Sequence, residues 1–505
     1  MKTKQKALGV SVLRLGCHKQ NRRVWIVNKT LEKIFPAGQN VRVDYHKQEK
    51  MIVVNRVDFG ANHTISSRKN GTPILDIKNM KVAETLGNIE RIEVVYLHDQ
   101  LVIRVAKVEK QRQDREKKRC VNTFELFSGA GTLSHFFKRA GFQVRGGLEL
   151  VDDYRALFHK NNDTDEIYSI GGRIEDIHTS YFPKDIDVVL SGIPCTNYSS
   201  SNVKLKAAQK AKREGREYDK EAVNKEYEAE ALTFYVLTAI RAMNPRTVVV
   251  EEVVEYSESP ASMMLRTVLE QMGYKTSEIV SQGTHTKRER WVLVANMGKQ
   301  IALNGLIEDD GKKIEDFLEL SVNERDWKPK EAFAPSRLNE KIGIRSCTPN
   351  DTKTNTFTTH STRGTEPILK HPTQELYSEF TNREIANIHG IDSSFVLDER
   401  KSISRQILGQ GVTDMFLKVA QRIIEGYIDE HVWYKLHFSN GSSLICREDE
   451  VIKHITSWSS IKNRSILSKN INEAIREFES LDKRNYCIRY KGIDELPQQY
   501  RAYAA

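Results

Sequence analysis

No CxxC pair occurs in this chain. Its six cysteines, Cys17, Cys120, Cys195, Cys347, Cys446 and Cys487, lie singly along 505 residues. Such spacing argues against a zinc module or a disulfide framework and for a reducing compartment, so no metal site is expected. No apolar run approaches the roughly 20 residues that cross a bilayer. The start, Met1-Lys-Thr-Lys-Gln-Lys6 followed by Ala7–Leu13, has the outline of a secretion signal, but Arg14 interrupts it and no small-residue cleavage site follows. It reads as the first strand of a soluble domain, expected in the cytoplasm and associated with the nucleoid. Neither an internal repeat nor a low-complexity tract is evident.

What is present is charge. Lys and Arg number 78 against 68 Asp and Glu, a formal net charge of +10. The excess fits a polyanionic partner without requiring one. The length suffices for two to four domains.

Residues 1–105 read as a β-rich domain with strands at Val24–Val27, Val41–Tyr45, Met51–Val54, Val94–Leu97 and Leu101–Val105 and a short helix near Leu31–Ile34. The segment 106–119, dense in Lys, Arg, Glu and Gln, reads as a solvated helix or linker. From 120 to 296 strands alternate with helices, the pattern of a parallel sheet covered on both faces. Residues 297–375 are irregular and polar. Helical pattern returns over 376–427, and 428–505 mixes a hairpin (Trp433–Phe438, a turn at Asn440-Gly441, Leu444–Cys446) with charged helices.

Two local patterns carry chemistry. In Asp187-Val-Val-Leu-Ser-Gly-Ile-Pro-Cys195 an apolar strand breaks into a Pro-Cys turn, which places a thiol at the carboxyl edge of a sheet, where α/β proteins bind ligands. In Phe124-Glu-Leu-Phe-Ser-Gly-Ala-Gly131 a strand enters a tight turn before a helix, and an acidic residue, Glu149, ends the next strand, where ribose hydroxyls are taken in Rossmann-like sites. This is not GxGxxG, and nothing demands a pyrophosphate. A ribose-bearing, phosphate-free cofactor such as S-adenosylmethionine suits it better than NAD.

Taken in order, these residues resemble the DNA cytosine-C5 methyltransferases over roughly 300 residues. The family's Asp-Leu-Phe-x-Gly-x-Gly motif is similar to Glu125–Gly131, which includes Phe127, Gly129 and Gly131, with Glu125 for Asp. Its ribose-binding Glu corresponds to Glu149, its adenine-contacting Asp to Asp176, and its Pro-Cys to Pro194-Cys195. Its Glu-Asn-Val resembles Glu251-Glu-Val253, its Gln-x-Arg-x-Arg resembles Thr286-Lys-Arg-Glu-Arg290, its Arg-Glu corresponds to Arg383-Glu384, and its closing Gly-Asn-x-Val resembles Gly409-Gln410-Gly-Val412. The departures fall on amides: Thr196, Glu252, Thr286 and Gln410 stand where the family has Gln, Asn, Gln and Asn.

The resemblance implies an α/β fold: a Rossmann-like S-adenosylmethionine-dependent methyltransferase domain with an inserted target-recognition domain at 297–375. A β-rich N-terminal domain and a small α+β C-terminal extension flank it. It implies Cys195, Glu251, Arg288 and Arg290 as catalytic residues, and Phe127, Gly129, Gly131, Glu149, Asp176, Pro194, Gln410 and Val412 around S-adenosylmethionine. Cysteine is the soft, ionisable nucleophile that addition to C6 of cytosine requires, and a carboxyl at 251 that donates when protonated would hold N3 and N4. The expected partner is double-stranded DNA with one cytosine flipped out. Thr196–Asn202 would be a loop closing over that base, and Lys204–Glu230 a charged helical insertion that contacts DNA backbone or faces solvent. Arg345, Asn350, Lys353 and Arg363 are candidate base readers. An RNA cytosine methyltransferase and a non-catalytic DNA-binding regulator remain open alternatives. So do the oligomeric state and a restriction-system or phage-defence partner. Outside this stretch, Arg23–Ile26, Leu31 and Phe35–Val43 resemble the swapped-hairpin barrels of AbrB-like DNA-binding proteins.

Overall fold

A computed structural model describes residues 6–19, 21–162, 167–194, 203–217, 219–333, 345–359, 366–430, 432–440, 442–461, 471–482 and 484–491. Cys195, the Thr196–Asn202 stretch, His360, Arg363 and Gly441 lie outside them. The chain divides into two compact units, Met1–Lys117 and Lys118–Ala505.

The second unit is built on seven strands: β1 (Asn122–Leu126), β2 (Gln143–Glu149), β3 (Tyr168–Gly171), β4 (Val188–Gly192), β5 (Thr247–Glu252), β6 (Lys275–Ser281) and β7 (Arg290–Asn296). They lie in the order β3-β2-β1-β4-β5-β7-β6. The first five pair in parallel, and β7 is antiparallel to both β5 and β6. Runs such as Val188-Val-Leu and Thr247-Val-Val-Val are buried throughout, as a strand covered on both faces must be. Alternate residues feed two apolar layers. Val188, Leu190 and Val249 pack with helices α1 (Thr132–Arg139), α2 (Asp152–Asn162) and others on one side. Val189, Val248 and Val250 face Val236, Ile240, Leu265 and Leu269 on the other.

The charged stretch after β4 forms two helices, Val203–Arg213 (α3) and Lys220–Met243 (α4), and α5 (Pro260–Gln271) follows β5. After the sheet come α6 (Asn382–Ile388), α7 (Lys401–Gln410) and α8 (Met415–Glu430). Helix α6 starts at Asn382 because Thr381 and Glu384 cap it reciprocally, while Leu376–Ser378 is still a strand. Between β7 and α6, four short strands form a small sheet with a buried cluster of Phe333, Ile368 and Tyr377. Most other apolar residues of this stretch, including Ile301, Leu303, Ile314, Cys347, Phe357 and Leu369, join the layer over α1 and α8 instead. The C-terminal residues form a three-stranded sheet, Val432–His437 with Ser443–Arg447 and Tyr486–Lys491, packed by two helices. Among the described residues no helix is long and apolar enough to cross a membrane.

The N-terminal unit is a tandem duplication, which corrects the expectation of no internal repeat. One half runs through strands Gly9–Arg14, Gly16–His18 and Asn21–Ile26, helix Lys29–Ile34, and a hairpin of Asn40–His46 and Met51–Arg56. The other repeats the order with His63–Thr64, Ser66–Ser67, Pro73–Lys78, helix Met80–Leu86, and a hairpin of Arg91–Tyr96 and Gln100–Val105. Equivalent strands pair with each other about a pseudo-dyad: Val24 opposite Ile77 has its image in Ile26 opposite Leu75, and Val54 opposite Leu101 in Ile52 opposite Ile103. Each helix is N-capped by an asparagine. Asn28 Nδ2 donates to Tyr96 of the other half (2.6 Å), and Asn79 Nδ2 to Tyr45 (2.8 Å). The sequence hides this because a dyad requires equal backbone geometry and equal alternation of burial, which many apolar residues satisfy. The charged stretch before Lys118 is the helix Lys107–Lys117, with Glu109 and Arg115 buried.

Candidate active site

Cys195 lies outside the described residues, but its expected partners gather at the carboxyl edge of β1, β2, β4 and β5, where the antiparallel β7 begins. After β1 the chain turns through Phe127 (φ +58°), Gly129 (φ +53°) and Gly131 (φ +86°). A side chain at Gly131 would strike the Phe158 ring at 3.0 Å. Around Gly129 a Cβ would meet nothing within 4 Å, so its left-handed backbone alone demands glycine, and the space above it is open. Glu149 ends β2 and locks this loop. Its Oε2 accepts the Gly129 N–H and its Oε1 accepts the Val151 N–H, both at 2.8 Å. Each carboxylate oxygen keeps a lone pair for a hydroxyl. Among the described residues the buried Ser128 Oγ has no hydrogen-bond partner. Asn161 Nδ2 fastens the loop from behind, donating to Ala130 O at 3.1 Å.

Glu125, standing for the family's Asp, is fully buried beneath the loop and accepts from the Ser134 N–H (3.1 Å) and from Ser134 Oγ. Burial pushes its carboxyl up to about 8, against the Ser134 hydrogen bonds and with help from Glu149 and Glu251. The folded protein therefore holds a proton that the unfolded chain releases at ordinary carboxyl pH. The stability linked to it is present in acid and lost as pH rises towards 8. Glu125→Gln keeps the acceptor and removes the titration. Its stability relative to the parent is expected to rise between about pH 5 and pH 8. Thermal melts of both proteins across that range check this, and a constant difference would show that Glu125 does not titrate there.

Strand β4 leads into Pro194. Ile193 is buried and Pro194 is exposed at its carboxyl end, the last described residue before Cys195. Beside it in register, Gly192 pairs with Glu251 of β5, and a Cβ on Gly192 would stand 3.4 Å from Glu251 Oε2. The other oxygen, Oε1, meets Arg290 Nε at 2.7 Å in a largely buried ion pair. The reversal of β7 makes that contact, because it brings the first residue of β7 to the edge where β5 ends. The next residue, Glu252, is buried; desolvation, then the charge of Glu251, pushes its carboxyl well above the usual range. It accepts the Val253 N–H at 2.6 Å, while Glu251 takes the contact with Arg290.

Arg288 is buried, with a guanidinium nitrogen 3.5 Å from Phe357 O. Its segment is braced by residues 354–357. Thr286 bridges to Thr354, Lys287 N–H donates to Thr354 O (2.9 Å), and Thr354 N–H donates to His285 O (3.0 Å). His389 is wholly buried against Phe357, and burial together with Arg288, Arg290 and Arg405 lowers its imidazole to about 3. A neutral ring thus stands where a cation would repel the arginines. The segment Gly409–Val412 closes the site behind the glycine loop. Gly411 fits against Thr132, where a Cβ would lie 3.1 Å from the threonine methyl, and Gly409 fits against the Thr358–Thr359 backbone. Gln410 is exposed and Val412 is buried.

The structure thus gathers Phe127, Gly129, Gly131, Glu149, Pro194, Glu251, Arg288, Arg290, Gln410 and Val412 on contiguous elements. Asp176 is exposed in the turn after β3, at the neighbouring strand end beyond Glu149. Arg383 and Glu384 sit behind the site. Arg383 donates to Asp392 O (3.2 Å) and Phe395 O (2.9 Å), while Glu384 forms a fully buried ion pair with Arg325 and accepts the Glu319 N–H at 3.0 Å. Of the base-reading candidates, Arg345 and Asn350 are exposed, and Lys353 lines a shallow cavity of about 360 Å³ with Lys287, Cys347 and Asp351. Cys347 itself is no nucleophile, since burial pushes its thiol up to about 11. Sequence reading missed His389, the 354–357 brace and the proton on Glu125. Only the brace left a trace, in the alternating Thr354-Asn-Thr-Phe-Thr358.

A family model described as C-5 cytosine-specific DNA methylase matches residues 121–427. The type II methyltransferase M.NgoPII of Neisseria gonorrhoeae is 34% identical over 76 residues, which are 15% of this chain. The chain spans only 22% of the length of that relative. Among solved structures, the S. pombe Dnmt2 methyltransferase is similar at 17% identity, with a TM-score of 0.46 and coverage of 60% of this chain and 98% of that one. The Entamoeba histolytica methyltransferase EhMeth is similar at 19% identity and a TM-score of 0.46, covering 62% and 99% respectively.

Proposed function

The chain belongs to the C-5 cytosine-specific DNA methylase family, and from that premise we propose that it methylates C5 of a flipped-out cytosine in double-stranded DNA through a covalent Cys195–C6 adduct. One observation carries the reading. The Glu251–Arg290 ion pair lies directly beside Gly192, three residues ahead of Cys195, on the same sheet edge as the loop locked by Glu149. On this reading a base entering there meets the Glu251 carboxyl and the Arg290 guanidinium, beside the strand that leads through Pro194 into Cys195.

The family uses S-adenosyl-L-methionine, and the residues here fit it. The Glu149 oxygens keep lone pairs for ribose hydroxyls, the space over Gly129 is open, and Asp176 stands exposed at the next strand end for an adenine amino group. When bound, this cofactor supplies an electrophilic methyl group on a sulfonium centre. The Cys195 thiolate adds to C6 of cytosine, moving an electron pair onto C5 and raising negative charge at N3 and O2. Glu251 holds N3 and the exocyclic N4, which distinguishes cytosine from thymine, and Arg290 and Arg288 hold O2 and the flanking phosphate. C5 takes the methyl group. Loss of the C5 proton to water then restores the ring and expels the thiolate.

Incubating the purified chain with cofactor labelled in the methyl group, and with duplex DNA or transfer RNA, tests the reading. Label is expected in the DNA as 5-methylcytosine. Duplex carrying 5-fluorocytosine is expected to form a denaturation-resistant protein adduct, because fluorine does not leave as a proton does. Label in transfer RNA alone would reassign the substrate, and an absence of any adduct would exclude the covalent route.

A further inference from the structure

The positive charge of this protein is not spread along it. Residues 1–117 contain 24 Lys and Arg against 12 Asp and Glu, leaving 54 against 56 for the rest of the chain. All of the net charge therefore belongs to the duplicated N-terminal unit, and the unit that carries the active site is slightly acidic.

Within the N-terminal unit half of the twelve acids are ion-paired, Glu90 and Glu116 with Arg112 among them. Asp76 pairs with Arg23 and Lys78, Asp44 with Arg42, Glu84 with Lys47, and Glu93 with Arg104. The two turns that lead into the dyad-paired strands both carry exposed cations. Lys19 lies in the turn before Asn21–Ile26, and Arg68 and Lys69 in the turn before Pro73–Lys78. All three are exposed, and among the described residues none has an acidic partner within ion-pair distance. The turns are images of one another. The preceding residues Leu15 and Ile65 are both buried and donate to Glu90 O (2.7 Å) and Gln39 O (2.9 Å), at equivalent positions of opposite halves.

Because Asn21–Ile26 and Pro73–Lys78 are antiparallel, the turns lie at opposite ends of the strand pair. Strand rise places them roughly 25–30 Å apart. That is on the order of one turn of a nucleic-acid duplex, about 34 Å. The duplex is also the polyanion whose two backbones are themselves related by local dyads, so a two-fold unit presents the same turn to each.

We propose that the N-terminal unit is a sequence-independent docking module for duplex DNA, with Lys19 on one turn and Arg68 and Lys69 on the other set against phosphates. This deepens the DNA reading above, since it gives the enzyme a second grip on its substrate. It is nevertheless tested without a target base.

The probe is a labelled duplex of about 30 A·T pairs, which offers no cytosine, bound to the full chain over a salt series. The triple variant Lys19→Ala, Arg68→Ala, Lys69→Ala is expected to bind about 10-fold or more weakly near 0.1 M salt. Its plot of log affinity against log salt should be shallower by about two to three, at roughly 0.9 per lost phosphate contact. The charge-keeping variant Lys19→Arg, Arg68→Lys, Lys69→Arg should bind as the parent does, which separates charge from folding. On cytosine-containing DNA the alanine variant should raise KM and keep kcat. An unchanged salt slope would overturn the proposal, as would tighter binding of transfer RNA than of the duplex with the loss confined to the RNA. If the slope falls but no nucleic acid is ever methylated, the docking role stands and the proposed reaction fails.

Discussion

Cys195→Ser is expected to abolish methyl transfer, by at least about 10⁴-fold, while cofactor affinity stays within about twofold of the parent. The reaction asks for a soft anion that adds to C6 and later leaves. A thiol near pKa 8.5 supplies one close to neutrality, whereas a serine hydroxyl does not ionise there. The groups expected around the cofactor, Glu149 and the Gly129 loop, belong to other strands and make their hydrogen bonds to each other. Losing the sulfur leaves them in place. Single-turnover transfer of labelled methyl, together with calorimetric titration of the cofactor, reads both quantities. Full turnover by the serine variant would remove Cys195 from the mechanism. A parallel loss of cofactor binding would recast it as a structural residue.

Glu251→Gln is expected to lower kcat by about 10²-fold or more, the scale of a positioned acid, with a much smaller change in KM for DNA. The substitution keeps the shape beside Gly192 but ends the ion pair with Arg290 and the ability to hand a proton to N3. Neighbouring Glu252 does not substitute for it: it is buried, desolvation pushes its carboxyl above the usual range, and it accepts its hydrogen bond from the Val253 N–H. Stopped assays under saturating DNA separate kcat from KM. An unchanged kcat would show that proton donation comes from another group.

Much of this site is legible in the sequence itself. Gly129 and Gly131 announce themselves because a tight turn is a choice made by a few adjacent residues, and the structure shows a left-handed φ at both. The strands are legible for a related reason. Val188–Leu190 and Thr247–Val250 are apolar throughout, which only a strand covered on both faces tolerates. The region 297–375 is harder. Its polar, irregular composition suggests a separate domain, yet Ile301, Leu303, Phe357 and Leu369 are spaced too widely to reveal that they pack over α1 and α8. His389 gives no sign either, since a histidine before a glycine at a helix end is ordinary, and only its burial near three arginines makes it informative.

Taken alone, the order of residues along this chain settled what each strand end would carry: a tight glycine turn, an acidic cradle, a thiol, a carboxyl, a pair of arginines. Folding in three dimensions decided which of them meet. Glu251 and Arg290 form a pair because β7 runs opposite to β5, Thr354–Phe357 braces Arg288 across a long separation in sequence, and the two halves of the N-terminal unit complete each other about a dyad. The reason is physical: backbone dihedrals answer to neighbours along the chain, whereas strand pairing and packing are selected by burial summed over the whole molecule.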